Sequence, residues 1–358
     1  MRIAILGVGL IGGSIGMAAR RRLDAEVAGF DPDPATLERA LELGALERRS
    51  GSVAEACEGA ELVFCAAPVA ELPRVAEQAL AASAEDCVIT DVGSTKRDIV
   101  AAVGEDERFI GGHPLAGAET SGVENARAEL FEGARWYLTP TTYSGGLLYD
   151  RLQRALAEIG ARPQAIDAEV HDRLMATVSH LPHVIANVVV NQVASELAAG
   201  AERLPEAGPS LRDATRVAGA NPKIWGDILA SNRAAVAAAI DATVKRLQEA
   251  SALIREGDRE AVGDWHKQAG ADRRALLEPG IAGGPLRELR VAVPNRPGIV
   301  AELALALGRA GVNIEDMALY PAADMRSGAI SLWVAGSEQA EHAVELVRQL
   351  GYSVTVEQ

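Results

Sequence analysis

The sequence predicts an α/β domain built on a mostly parallel sheet, then an all-helical segment, then a small α+β module. Three observations carry this reading. Short apolar runs alternate with helix-patterned stretches over residues 1–168. Over 169–284 the strand signals vanish and long apolar helical runs replace them. After GIAGGP at 280–285, a linker by composition, residues 286–358 read as strand, helix, strand, strand, helix, strand.

RIAIL (2–6) is a short buried strand, and GVGLIGGSIGMAARRR turns into a helix. EVAGFD is a second strand ending at Asp31, and ATLERALELGA is a helix with Gly44 suited to its C-cap. ELVFCAAP is an apolar strand stopped by Pro68. CVITDVGS ends near Ser94, RFIGGHP ends at His113, and RWYLTP and RPQAID add two more strands. Such alternation builds βαβ units. AEVHDRLMATVSHLPHVIANVVVNQVASELA is one long helical run, expected to bend at Pro182, which cannot donate to the carbonyl of Val178. GAERLPEAGPS is a loop, and IWGDILASNRAAVAAAIDATVKRLQEASALIREG is a second long helix. Long apolar helices with little to cover them pack against a partner, so a homodimer is expected. In the tail, LRELRVAV, VNIEDMALY, GAISLWVA and YSVTVE are strands around two helices, a ferredoxin-like βαββαβ order.

With 358 residues and 48% hydrophobic composition the chain can bury a large core. A net charge of -15 argues against nucleic-acid or anionic-membrane binding, which need a basic field. No uninterrupted apolar run approaches the ~18 residues of a membrane span. Three cysteines, Cys57, Cys65 and Cys87, form neither a CxxC nor a disulfide framework, so a reducing cytoplasm is expected.

Gly7-Val8-Gly9-Leu10-Ile11-Gly12 follows a strand, opens a helix, and is answered by Asp31 at the end of the next strand. That context is the Rossmann dinucleotide fingerprint. Gly7 permits the turn, Gly9 lets the backbone approach a pyrophosphate, and Gly12 lets helix and strand close. Asp31 suits ribose hydroxyls and repels a 2′-phosphate, which favours NAD over NADP. Leu10, Ile11 and Pro68 complete the candidate cofactor set. At the next strand ends lie Asp91, Ser94 and Lys96, then His113 with Glu119 beyond. Removing hydride from a carbinol carbon needs a base for the hydroxyl proton, and a neutral histidine suits that task. Arg212, Asp213 and Arg216 in LRDATR offer either a surface ion pair or a carboxylate clamp, with the two arginines on one face if the stretch is helical. His180 and His183 flank Pro182 in SHLPH. Without an HExxH context or a nearby cysteine, no metal is expected there.

Together, GVGLIGGSIG, DVGSTK, GGHPLAGAETSG, SHLPH, LRDATR with NPKIW, and VPNRPGIVAELALALGRAGVNIEDM resemble prephenate dehydrogenases that carry a C-terminal ACT domain. The resemblance implies that His113 takes the proton of the substrate's C4 hydroxyl and that Ser94 orients it. Hydride then leaves C4 for NAD and the ring carboxylate departs as CO₂. It also implies that Arg216 binds a substrate carboxylate, with Glu119 and Asp213 holding that region. His180 and His183 become active-site residues, His183 first for the pyruvyl side chain, with His171 and Asp172 in support. Trp225 is implied to reach the neighbouring subunit's site. Leu211 departs from the aromatic expected before Arg212. In the tail, Asn295, Arg296, Pro297 and Gly298 match an ACT ligand loop, whose implied effector is tyrosine. Such modules pair edge to edge.

Three alternatives remain at this point. An arogenate dehydrogenase shares the pattern. A β-hydroxyacid dehydrogenase would need a catalytic lysine, and Lys223 and Lys245 lack the expected neighbours. A non-catalytic NAD and amino-acid sensor would not need Ser94, His113 and Arg216 together.

Overall fold

The computed structural model describes residues 1–117, 120–200, 208–277, 286–322 and 327–357. The predicted linker at 280–285, most of the 200–210 loop and Glu119 lie outside these residues. The chain divides into two compact units, Met1–His171 with Gly283–Gln358, and Asp172–Ala282.

The first unit is built on an eight-stranded sheet. Its strands are β1 (Arg2–Leu6), β2 (Glu26–Phe30), β3 (Arg48–Arg49), β4 (Leu62–Cys65), β5 (Val88–Asp91), β6 (Phe109–Pro114), β7 (Arg135–Thr139) and β8 (Arg162–Ala165). The order is β3-β2-β1-β4-β5-β6-β7-β8, and only the β6–β7 pairing is antiparallel. β1, β4 and β5 are apolar almost throughout because both faces are covered. Successive residues serve opposite cores: Ile3, Ile5 and Phe64 pack on one side, Ala4, Leu6, Val63 and Ile89 on the other. The covering helices are α1 (Leu10–Arg22), α2 (Pro34–Glu42), α3 (Val53–Cys57), α4 (Leu72–Ala82), α5 (Arg97–Val103) and α6 (Gly146–Glu158). β3 has no apolar signature. Backbone bonds hold it beside β2, from Glu47 N–H to Val27 O (2.9 Å) and Ser50 N–H to Gly29 O (2.8 Å). All three cysteines are free and buried. Burial pushes their thiols up, that of Cys87 to about 11, so they stay protonated and unreactive.

The remaining helices up to residue 277 are α7 (Ala168–Met175), α8 (Leu181–Gly200), α9 (Pro209–Ala214), α10 (Pro222–Ser231), α11 (Arg233–Glu256) and α12 (Arg259–Leu277). Just before Pro182 the run carries a π-helical turn, Ala176–His180, with Leu181 N–H reaching back to Ala176 O. Two local expectations are corrected. The second long run is two helices, because Asn232 leaves helical geometry (φ -101, ψ 25). Its fully buried amide is engaged elsewhere, as described below. Arg212 and Arg216 do not share a helix face, because α9 stops at Ala214. Thr215 Oγ1 donates back to Leu211 O (2.6 Å), and the chain turns toward Gly219 at φ +74.

The run Ala168–Ala198 is long and apolar enough to cross a membrane by length and composition alone. It also carries the buried polar side chains of His171, Asp172 and His180. Val188 on α8, and Leu247 and Ile254 on α11, stand more than half exposed.

The tail forms β9 (Leu286–Pro294), α13 (Ile299–Arg309), β10 (Ile314–Pro321), β11 (Ser327–Ala335), α14 (Ser337–Gln349) and β12 (Ser353–Glu357). Its antiparallel sheet runs β10-β11-β9-β12, the pairing of a βαββαβ unit. β10 lies along β8 of the same chain. Gln164 Nε2 donates to Ile314 O and to Asn313 Oδ1 (3.0 Å), and Arg135 meets Glu315 at 3.6 Å. The start of the β10 edge is therefore covered by β8 of its own chain.

Candidate active site

The crevice of a doubly wound sheet opens at the carboxyl ends of the strands where the order reverses. Here that point lies between β1 and β4. The glycine turn runs out of β1, and Ala66 to Pro68 run out of β4. Gly7 sits at φ +100, and a Cβ there would fall 2.6 Å from Ala66 O. A Cβ on Gly12 would fall 2.0 Å from Gly7 O, so α1 closes on β1 only with glycine. Gly9 faces open space and N-caps α1, whose first turn has no acidic residue. That helix end suits an anion. Asp31 does more than wait for a ribose: its Oδ2 accepts the Val8 N–H at 2.9 Å and fixes the glycine turn. The cradle fits a dinucleotide pyrophosphate. Overpacking costs about 1–3 kcal/mol, so Gly12→Ala is expected to weaken NAD⁺ binding about tenfold or more in a fluorescence titration. Unchanged affinity would place the cofactor elsewhere.

Asp91 and Lys96, grouped with Ser94 from the sequence, have a different task. Both are fully buried and paired with each other. Asp91 also accepts the N–H groups of Gly93 (2.8 Å) and Gly112 (2.9 Å), and Lys96 donates to Gly112 O at 2.6 Å. The pair ties the end of β5 to the residue before His113. Ser94 lies half-buried in the loop between them. His113, at the end of β6, is almost fully buried, and its Nδ1 lies 2.8 Å from Nε2 of the fully buried His171. Tyr137 meets the edge of the same imidazole of His171, with ring centroids 5.7 Å apart.

In the helical unit His180, His183 and Trp225 come together. Trp225 stacks on His183 (3.5 Å between centroids) and meets His180 edge-on (6.0 Å). Trp225 thus packs on its own chain's histidines. Asn232 Nδ2 bonds Asp172 O (2.7 Å) and His180 Nδ1 (3.2 Å). Because the amide nitrogen can only donate, His180 Nδ1 accepts and its proton sits on Nε2. His183 Nδ1 lies 3.1 Å from Ser179 O, a carbonyl that can only accept, so the proton is on Nδ1. Arg216 and Asp213 are exposed beyond and within α9. Asn232 is the residue that sequence reasoning missed. The available signal was a weak helix former in the middle of a helical run.

A fingerprint turn with its acidic partner, a histidine at a nearby strand end and a separate helical unit define an NAD-dependent oxidoreductase. Residues 15–165 match the prephenate dehydrogenase nucleotide-binding domain, and residues 167–268 match the prephenate dehydrogenase dimerization domain. Prephenate dehydrogenase of Bacillus subtilis is 28% identical over 354 residues, covering 96% of this chain and 95% of its own. The structure of prephenate dehydrogenase from A. aeolicus, in complex with hydroxyphenyl propionate and NAD⁺, superposes with a TM-score of 0.70. It shares 30% identity and covers 77% of this chain and 98% of that one. Arogenate dehydrogenase from Synechocystis superposes at 0.69 with 26% identity, covering 77% of this chain and 100% of that one. The chain belongs to the prephenate dehydrogenase family.

Proposed function

We propose that the protein oxidises prephenate with NAD⁺ and releases CO₂, giving 4-hydroxyphenylpyruvate for tyrosine synthesis. The His113–His171 contact carries this reading. With the Nδ1–H of His113 donating to His171 Nε2, the Nε2 lone pair of His113 is the base. His171 holds the ring and stabilises the imidazolium after proton uptake. Bound NAD⁺ supplies the hydride acceptor, on a cradle formed by Gly7, Gly9, Leu10, Ile11, Gly12, Asp31 and Pro68. Ser94 orients the C4 hydroxyl that His113 deprotonates.

A dianionic substrate in a chain of net charge -15 needs local donors. Arg216 takes one carboxylate, with Glu119 and Asp213 organising that region. His180 and His183 take the side-chain end. The sequence puts His183 first; the Asn232 bond favours His180, whose Nε2–H is the fixed donor. The dimerization-domain match and the exposed apolar residues of α8 and α11 support a homodimer. Three protonated, unpaired thiols support a cytoplasmic location.

The tail is read as an ACT regulatory module that binds tyrosine as feedback inhibitor near Asn295–Gly298. Support comes from its βαββαβ pairing and from the B. subtilis relative, whose 96% coverage takes in most of residues 286–358. Arg296 is held by Glu302 and by Tyr352 Oη (2.9 Å), and Gly298 N–H donates to Ser144 O (2.8 Å).

The deciding measurement is steady-state NADH production at 340 nm with prephenate or arogenate, NAD⁺ or NADP⁺, with and without tyrosine. Prephenate with NAD⁺ is expected to be the fastest pair, slowed by tyrosine. Rapid turnover of arogenate with none of prephenate would move the substrate assignment.

A further inference from the structure

A row of residues runs across the sheet from His113 to the tail. His113 on β6 is the register partner of Tyr137 on β7, and Tyr137 that of Gln164 on β8. Register partners stand side by side on one face of a sheet. On that face Tyr137 meets the edge of the His171 ring, with centroids 5.7 Å apart, and His171 meets His113 edge-on at 5.1 Å. His113, His171, Tyr137 and Gln164 are all buried. Gln164 ends the row and is committed to the tail: its amide nitrogen donates to Ile314 O and to Asn313 Oδ1 (3.0 Å). A second tie runs beside it. Arg135 places its guanidinium over the Tyr137 ring, 6.0 Å from the centroid, and meets Glu315 of β10 at 3.6 Å. Tyr137 is thus set between His171 and an arginine that leans on the tail. A hydrogen bond between two imidazoles is directional, so tilting His171 weakens its 2.8 Å contact with His113 Nδ1. In a packed interior, the neighbours of a ring decide how far it tilts.

We propose that Tyr137 and Gln164 are positioning residues for the proton transfer. The tail braces Gln164 and Arg135, these brace Tyr137, and Tyr137 sets the plane of His171 against His113. The tail therefore contributes to the basal reaction, whatever its 295–298 loop binds. The inference rests on His113 as the base. Because His171 stabilises the imidazolium of His113, a tilted His171 lowers the basicity of His113. The acid limb of the kcat–pH profile then moves to lower pH. Other charged or titratable groups near the pair are Tyr137, Arg135 with Glu315, and the Asp91–Lys96 pair at Gly112.

The test is the kcat–pH profile of the full chain with prephenate and NAD⁺, run well below each variant's thermal midpoint. Tyr137→Leu removes the ring edge and is expected to lower kcat about tenfold or more, the scale of a small misplacement. Its acid limb moves to lower pH, and the KM for NAD⁺ stays near wild type. Tyr137→Phe keeps the edge and is expected to restore both kcat and the limb. Gln164→Met, which keeps the volume but loses both bonds to the tail, is expected to move kcat and the limb the same way, by about threefold. Val334→Ala, in the tail's own core, is expected to lower the melting temperature while leaving kcat and the limb in place. An unmoved limb in Tyr137→Leu or in Gln164→Met overturns the proposal, as does an equal shift in Val334→Ala or a failure of Tyr137→Phe to restore it. If Tyr137→Leu does not fold, Gln164→Met against Val334→Ala decides. A wild type without an acid limb would instead sink the assignment of His113 as base, so the two failures are told apart.

Discussion

His113→Asn is expected to lower kcat by about 10² to 10⁴, the scale on which a positioned general base contributes, while the KM for NAD⁺ stays close to wild type. Asparagine can still place an amide N–H toward His171 Nε2 from the end of β6, so the loop and strand need not move. It has no basic atom where imidazole Nε2 stood. The acid limb of the kcat–pH profile should therefore vanish with the activity. His171→Leu gives the complementary result. It leaves His113 Nδ1 without its partner at 2.8 Å and lowers kcat without touching the base itself. A His113→Asn enzyme turning over within a few-fold of wild type would remove His113 from this role.

Lys96→Met is expected to destabilise the protein by about 3–5 kcal/mol, the range for breaking a fully buried ion pair from one side. The methionine fills much of the same volume, but Asp91 is left as a buried carboxylate that has lost its counter-charge and keeps the backbone N–H groups of Gly93 and Gly112. Replacing both partners, Asp91→Asn with Lys96→Met, should recover much of the loss, because no uncompensated charge remains. Urea denaturation of the two single variants and the double closes the cycle. The single variant should also lose activity, since Lys96 fixes Gly112 and hence the backbone entering His113. A loss below about 1 kcal/mol would mean that the pair behaves as a surface pair does.

The features legible in the sequence are those whose causes are local. The glycine turn and Asp31 declare themselves by spacing, and β1, β4 and β5 by apolar runs that only a covered parallel sheet tolerates. The features that were not legible depend on residues brought together from afar. His113 and His171 are 58 positions apart, and Asn232 is 52 from His180. Neither side chain says in sequence which partner will orient it. Asn232 breaks a helix that propensity would continue, because two buried hydrogen bonds outweigh a few tenths of a kcal/mol of intrinsic preference. Lys96 stands beside Ser94 in the sequence, and only the fold shows that it is buried against Asp91. Arg216 leaves its expected helix face because Thr215 ends α9 one residue earlier.

The seam along β8 and β10 also bears on how the molecule melts. Leu289, Ile314 and Met317 of the tail belong to the same apolar cluster as Leu138, Ala161 and Ala165 of the larger sheet. Gly298, at φ +80, nests so closely on Thr142 that a Cβ would fall 2.0 Å from its carbonyl oxygen. A domain joined by a loose tether unfolds on its own schedule. Here the two sheets share one interior, so calorimetry should find them losing structure in one cooperative transition. A chain cut before Leu286 should melt earlier than that joint transition rather than reveal an independent remainder.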